Sequence, residues 1–324
     1  MKHETGRRSF LKQSFAATLA APLITSLEEY ALVARESGAT TAPVNGGVPC
    51  GTIGKVRMSR IICGGNLVSG YAHSRDLIYL SKLLKSYFTE AKIMETWAVC
   101  EQHGVNTMIF NPSDRRAVEI YKKYCAQGGK IQYLAQVAPK KEDMLPTIRE
   151  AVDNGASGIL LVGNYGDSWT RDGSVDRIGE FIAMVKAERL ISGVAGHELR
   201  TIMTVEKAGI QADFYMKTLH SADYWSKQRE DQKKEVIDNY GIDNYWCQEP
   251  GNVVEFMQQV KRPWLAYKVL AAGAIHPREG FKYAFENGAD FCVVGMFDFQ
   301  VAEDAAIARE VLGGSLNRKR AWLS

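Results

Sequence analysis

From Arg57 onward, short and continuously apolar runs alternate with stretches whose apolar residues recur at helical spacing. The apolar runs fall at 59–63, 107–110, 132–137, 158–162, 192–196, 213–217, 265–270 and 291–295. Continuous rather than alternating apolarity predicts parallel strands covered on both faces. Between them the same junction returns: His103-Gly104-Val105, Asn154-Gly155-Ala156, Ala208-Gly209-Ile210 and Asn287-Gly288-Ala289. The glycine suits the left-handed residue that ends a helix, and the next apolar residue re-enters the core. Val253, Phe256, Met257 and Val260 lie on one face of such a helix. Eight strands in strand–helix order predict an α/β (β/α)8 TIM barrel. The alternative, a doubly wound open sheet, wants a GxGxxG turn after its first strand, where Cys63-Gly64-Gly65-Asn66 stands instead. Two insertions interrupt the rhythm, 77–88 before the first barrel helix and 219–251 after strand six. The second carries Tyr224, Trp225, Tyr240, Tyr245 and Trp246 and reads as an aromatic lid.

The N-terminal segment obeys none of this pattern. Arg7-Arg8-Ser9-Phe10-Leu11-Lys12 stands just ahead of the apolar run 13–27. This resembles a twin-arginine export signal, which implies recognition by the twin-arginine export machinery and a periplasmic or secreted destination. Small residues at 37–39, with 18–20 as a competitor, offer a cleavage point. The expected organisation is a signal segment at 1–39 and the barrel at 40–324. The apolar run is shorter than the ~20 residues of a spanning helix, so no stable membrane span is expected after processing. That export route carries proteins already folded, often around a cofactor, so the resemblance favours a held metal or nucleotide.

Composition narrows the function classes. With 46% hydrophobic and 24% charged residues the chain is an ordinary globular one. Forty basic against 37 acidic residues leave +3, too little for the basic face that nucleic acid requires. The six cysteines form no CxxC pair, and Cys63 and Cys292, inside strand runs, are expected as buried thiols.

In a barrel of this kind chemistry gathers where the strands end. Lys268 falls within run seven, where a lysine covered on both faces must point into the bore and find an anion or lose its proton. Lys217 closes run six, and two facing ammonium groups would depress one pKa, the condition for a Schiff-base nucleophile; alternatively both hold an anionic or polyhydroxyl substrate. His197 after strand five is a candidate base, and Glu249 in the lid a second one. His197, Glu198, His220 and Asp298 could form an N/O site for a divalent metal, with no HxH or HExxH spacing to anchor it. Asp298 and His276 also suit the starts of the last two helices. Gly273 and Gly295 stand where barrels often bind phosphate. Asn66, Asn111, Gln136 and Asn164 end strands one to four as neutral groups for sugar hydroxyls, with Trp225 and Trp246 to stack on a ring.

The stretch Gly54-Lys55-Val56-Arg57-Met58-Ser59-Arg60-Ile61-Ile62-Cys63-Gly64-Gly65-Asn66, followed by His103-Gly104-Val105-Asn106-Thr107, resembles the entry strand and second strand of aldo-keto reductases. The resemblance implies a TIM barrel and an NADP-dependent oxidoreductase. That family continues into an aspartate and a proton-donating tyrosine, whereas Phe110-Asn111-Pro112-Ser113-Asp114 offers neither in place. The stretches from Asp213 to His220 and from Lys268 to Phe299 resemble exported bacterial barrel proteins. His197, His220 and Asp298 fall where metal-dependent amidohydrolases carry ligands, without that family's first HxH pair. The leading expectation is a lyase, isomerase or hydrolase acting on a small polar, carbohydrate-like substrate. An NADP-dependent reductase and a non-catalytic carbohydrate-binding barrel are the alternatives.

Overall fold

The chain enters the barrel through a β-hairpin. In the computed structural model, which describes residues 46–71, 79–140, 142–227, 229 and 246–324, β1 (Cys50–Ile53) pairs antiparallel with β2 (Val56–Ser59). Gly54, at φ +56°, supplies the left-handed residue of the two-residue connection. Ile53 and Met58 pack with Ile62, Leu134 and Ile191 and close the N-terminal end of the bore. The hairpin was hidden in the sequence because its four-residue strands are short and mixed in polarity.

Eight parallel strands then form a closed barrel: β3 (Ile61–Gly64), β4 (Thr107–Phe110), β5 (Gln132–Val137), β6 (Gly158–Leu161), β7 (Ile191–Gly196), β8 (Phe214–Thr218), β9 (Trp264–Tyr267) and β10 (Phe291–Val294), with β10 returning to β3. This is the expected (β/α)8 barrel. Side chains alternate across its wall. Phe214 and Met216 fill the bore with Leu160, Leu265 and Phe291, while Tyr215 and Trp264 face the helices.

The helical layer comprises α1 (Asn66–Ser69), α2 (Leu80–Tyr87), α3 (Glu90–Gln102), α4 (Arg115–Ala126), α5 (Leu145–Asp153), α6 (Gly163–Arg171), α7 (Val175–Ala187), α8 (Leu199–Lys207), α9 (Pro250–Met257), α10 (Pro277–Glu286) and α11 (Asp298–Gly313). Gly104, Gly155, Gly209 and Gly288 take positive φ at the helix ends, as the recurring junction required. Cys63 and Cys292 are buried thiols. No helix among the described residues is long and apolar enough to cross a membrane. The expected signal segment, and Tyr240 and Tyr245 of the expected lid, lie outside the described residues. The described parts of 219–251 ahead of α9 carry no helix or strand.

One boundary differs in a way that matters. Strand seven ends at Tyr267, not at residue 270, and Lys268 turns away at φ +62°. Ala271 N–H donates to the Lys268 carbonyl at 3.0 Å, and a 3-10 turn follows over Ala271–Gly273. Val269 is buried in the core and the Leu270 side chain packs against Gly280 of α10; their apolarity reports burial, not extended backbone.

Candidate functional site

The mouth of the barrel is organised around a carboxylate that no sequence motif announced. Asp167 sits on the buried face of α6, with Gly163, Gly166 and Thr170 as helical neighbours on that face. Its Oδ2 meets His197 Nδ1 at 2.8 Å, and its two oxygens accept the His197 N–H at 3.1 and 3.0 Å. Oδ1 also accepts Glu198 N–H at 3.2 Å and the Thr201 hydroxyl at 2.6 Å. Burial opposes the charge, but the bonds from His197 and Thr201 outweigh it and hold the carboxyl below its ordinary range. An ionised carboxylate only accepts, so Nδ1 carries the imidazole proton and Nε2 the lone pair.

His197 itself follows β7. Burial pushes its pKa below the ordinary value, with Lys268 and Lys217 adding to the effect, and the Asp167 bond only partly offsets this. The ring is therefore neutral at pH 7. Its side chain keeps 11% of its surface exposed, and Nε2 has no hydrogen-bond partner among the described residues. Tyr267, at the end of β9, faces it with ring centroids 5.4 Å apart. Gly163 makes room for both: a Cβ there would stand 2.7 Å from His197 Cε1 and 3.2 Å from the Tyr267 hydroxyl.

The two lysines do not face each other. Lys217 alternates with Met216, which fills the bore, so it belongs to the outer face of β8, where it is fully buried. Its ammonium donates to the Thr218 carbonyl at 3.1 Å, as does the buried Cys247 thiol at 3.4 Å. No carboxylate pairs with it among the described residues, and burial drives its pKa down. Lys268 stands beyond the strand rather than inside it, its Nζ 5.8 Å from the centroid of the Tyr267 ring. A positive φ on a non-glycine residue is a strained conformation of the kind found at functional sites.

The expected metal set is not brought together. Among the described residues no three of His, Cys, Asp and Glu are grouped as ligands. His197 is held by Asp167, and Glu198 is paired with Arg171 at 2.6 Å. His220 accepts Cys247 N–H at Nε2 (2.6 Å) and turns Nδ1 to the Ser221 carbonyl (2.8 Å), the pattern of a neutral, structural histidine. Asp298 opens α11, bonded by Tyr87 and Lys92. Adjacent strand ends suggested convergence, but each side chain is taken up by a local partner.

Glu249 is exposed at the entry to α9 and accepts from Asn252 at 2.7 Å. Gln136 alternates with Leu134 and so lies on the bore side of β5. Asn111 closes a local turn onto Ser113 N–H, while Asn66 and Asn164 are exposed first-turn residues of α1 and α6. Trp225 is 86% exposed, and Trp246 packs beside Ala271 and Ile275. Asp167 and Tyr267 were not singled out from sequence. An aspartate on the apolar face of α6 was a readable signal for the first; the second lay hidden in an apolar run.

A nicotinamide dinucleotide needs a place for its phosphates, and barrels often hold phosphate at the last two strand–helix loops. There the first turn of α11 presents the buried carboxylate of Asp298, and His276 caps α10 through Arg278 N–H. These residues do not fit a phosphate at that place.

No protein-family model and no curated protein matches the chain. Among solved structures, a provisionally assigned aldo-keto reductase from Pseudomona aeruginosa is 15% identical with a TM-score of 0.57, covering 84% of this chain and 98% of its own. The apo form of Gox0644 is 10% identical with a TM-score of 0.53, covering 82% of this chain and 94% of its own. A point mutant of Gox0644 has also been solved in complex with NADPH. At such identities the likeness establishes one thing about this chain, that it is a (β/α)8 barrel of the kind aldo-keto reductases share.

Proposed function

We propose that the chain is an exported enzyme, carried by the twin-arginine route, that moves a proton on a small, polar, carbohydrate-like substrate at the mouth of the barrel. Lyase or isomerase chemistry fits the site best. The observation that supports this is the Asp167–His197 pair, with Nδ1 held at 2.8 Å and Nε2 left without a partner among the described residues. Asp167 fixes the tautomer with its lone pair on Nε2, burial keeps the ring neutral, and the carboxylate stabilises the imidazolium that forms when a proton arrives. Lys268 adds positive charge beside the pair, and Gln136 offers an amide to substrate hydroxyls.

The test is deuterium incorporation from D2O into a panel of small hydroxylated carbonyl compounds, followed by proton NMR. Wild-type protein exchanges at least one member, and His197→Gln loses that exchange while binding the same compound. A His197→Gln variant exchanging at the wild-type rate refutes the assignment. Tight binding without exchange in the wild type would favour a carbohydrate-binding barrel.

A further inference from the structure

Two buried hydroxyls at the mouth are left over by the Asp167–His197 pair. Thr218 and Tyr267 are register partners across the β8–β9 ladder. The Thr218 Oγ1 and the Tyr267 hydroxyl are both buried and interact with each other, and neither has a partner of normal hydrogen-bond geometry among the described residues. Buried hydroxyls are as a rule hydrogen-bonded, so two side by side call for a reason. Tyr267 faces the histidine whose Nε2 has no partner among the described residues, and Lys268 Nζ lies 5.8 Å from the centroid of the tyrosine ring.

We infer that these two hydroxyls form an oxyanion site for a carbonyl oxygen, that the substrate is a small α-hydroxy carbonyl compound, and that Tyr267 is a catalytic residue. The inference rests on the proton-transfer reading for its second half, the removal of the α-proton. His197 Nε2 takes that proton; the C–H electron pair becomes the C=C bond of an enediolate. The carbonyl π pair moves onto oxygen, where the Tyr267 and Thr218 hydroxyls donate to it. Return of the proton to the same carbon gives exchange; its delivery to the former carbonyl carbon, with the α-hydroxyl proton passing to the former carbonyl oxygen, gives isomerisation, with no oxidant or reductant consumed. Burial, reinforced by the Asp167 charge, holds the Tyr267 phenol well above its ordinary pKa, with the Thr218 hydroxyl acting the other way, so the phenol stays a donor. Preorganised donors aimed at a developing oxyanion are the strongest common device for such a step.

The experiment uses the full chain saturated with [2-13C]dihydroxyacetone, reading the carbonyl stretch by infrared difference spectroscopy and the exchange in D2O by NMR. Wild-type protein shifts the band to lower frequency and exchanges. Tyr267→Phe returns the band toward its solution position and slows exchange about a hundredfold. Thr218→Val, a second variant in case the first fails to fold, loses part of the shift. His197→Gln keeps the shift and loses the exchange. A wild-type band at its solution position, or a Tyr267→Phe protein that keeps both shift and rate, overturns the inference. A shifted band without exchange in the wild type leaves the oxyanion site standing and removes the proton-transfer reading instead.

Discussion

Replacing Asp167 with Asn separates charge from shape at the site. The five contacts of the carboxylate divide unevenly. Oδ1 serves Thr201, Glu198 N–H and His197 N–H, whereas Oδ2 serves His197 N–H again and Nδ1. An asparagine with its oxygen in the Oδ1 place keeps the first three. Its amide nitrogen then falls at the Oδ2 place, 2.8 Å from Nδ1, and donates where the carboxylate accepted. The imidazole must then carry its proton on Nε2, and the atom facing the mouth changes from acceptor to donor. Stability falls by about 1.5–3 kcal/mol, the worth of one charge-assisted bond. Exchange falls far more, by about 10³- to 10⁴-fold, as when a fixed tautomer is reversed in a hydrolase triad. Nitrogen-15 NMR of the histidine ring, denaturant unfolding and deuterium exchange read the three quantities on one protein. An Asp167→Asn variant that keeps both the wild-type ring nitrogen shifts and the wild-type exchange rate refutes the reasoning.

Further outcomes follow from the same geometry. Asp304, 3% exposed in α11, has its carboxyl pushed up from 3.8 to about 7 by burial, aided by Glu303. The folded state therefore holds a proton that the unfolded state releases, and stability declines as pH rises from about 4 to 7, by about 4 kcal/mol in all. Asp304→Asn should flatten that decline and be the more stable protein at pH 8, as denaturant midpoints at pH 4, 6 and 8 will show; parallel curves for the two proteins contradict it. Lys217→Met should raise stability at neutral pH by about 1–3 kcal/mol, because an ammonium with one carbonyl and no carboxylate partner among the described residues is replaced by a chain that needs neither; a lower melting temperature than wild type counts against it. Gly163→Ala should cost about 1–3 kcal/mol through the 2.7 Å approach to His197 and separate the ring from Tyr267. Unaltered exchange and an unaltered melting temperature would show that the approach is relieved without consequence.

The sequence by itself determined the barrel, because burial on both faces of a parallel strand leaves a run of apolar residues that no surface strand shares. It also determined the helix ends, since only glycine takes the left-handed residue cheaply at Gly104, Gly155, Gly209 and Gly288. His197 was legible as a polar residue at a strand end, and its place at the mouth follows from the fold. Its partner was not. Asp167 lies 30 residues away on a different element, and only the parallel pairing of β6 with β7 brings α6 against the end of β7. Lys268 and Tyr267 show the other limit. Their apolar neighbours Val269 and Leu270 read as strand, yet apolarity records burial and not backbone angle, so only the folded backbone, turning at Lys268, decided where the strand stopped. For His220, Glu198 and Asp298 the sequence supplied metal-binding residue types, and the structure decided their use through local partners: a backbone N–H, an arginine, and a tyrosine with a lysine. Residue type fixes what a side chain can do, but the partner within three ångströms fixes what it does, and that partner is a property of the folded chain.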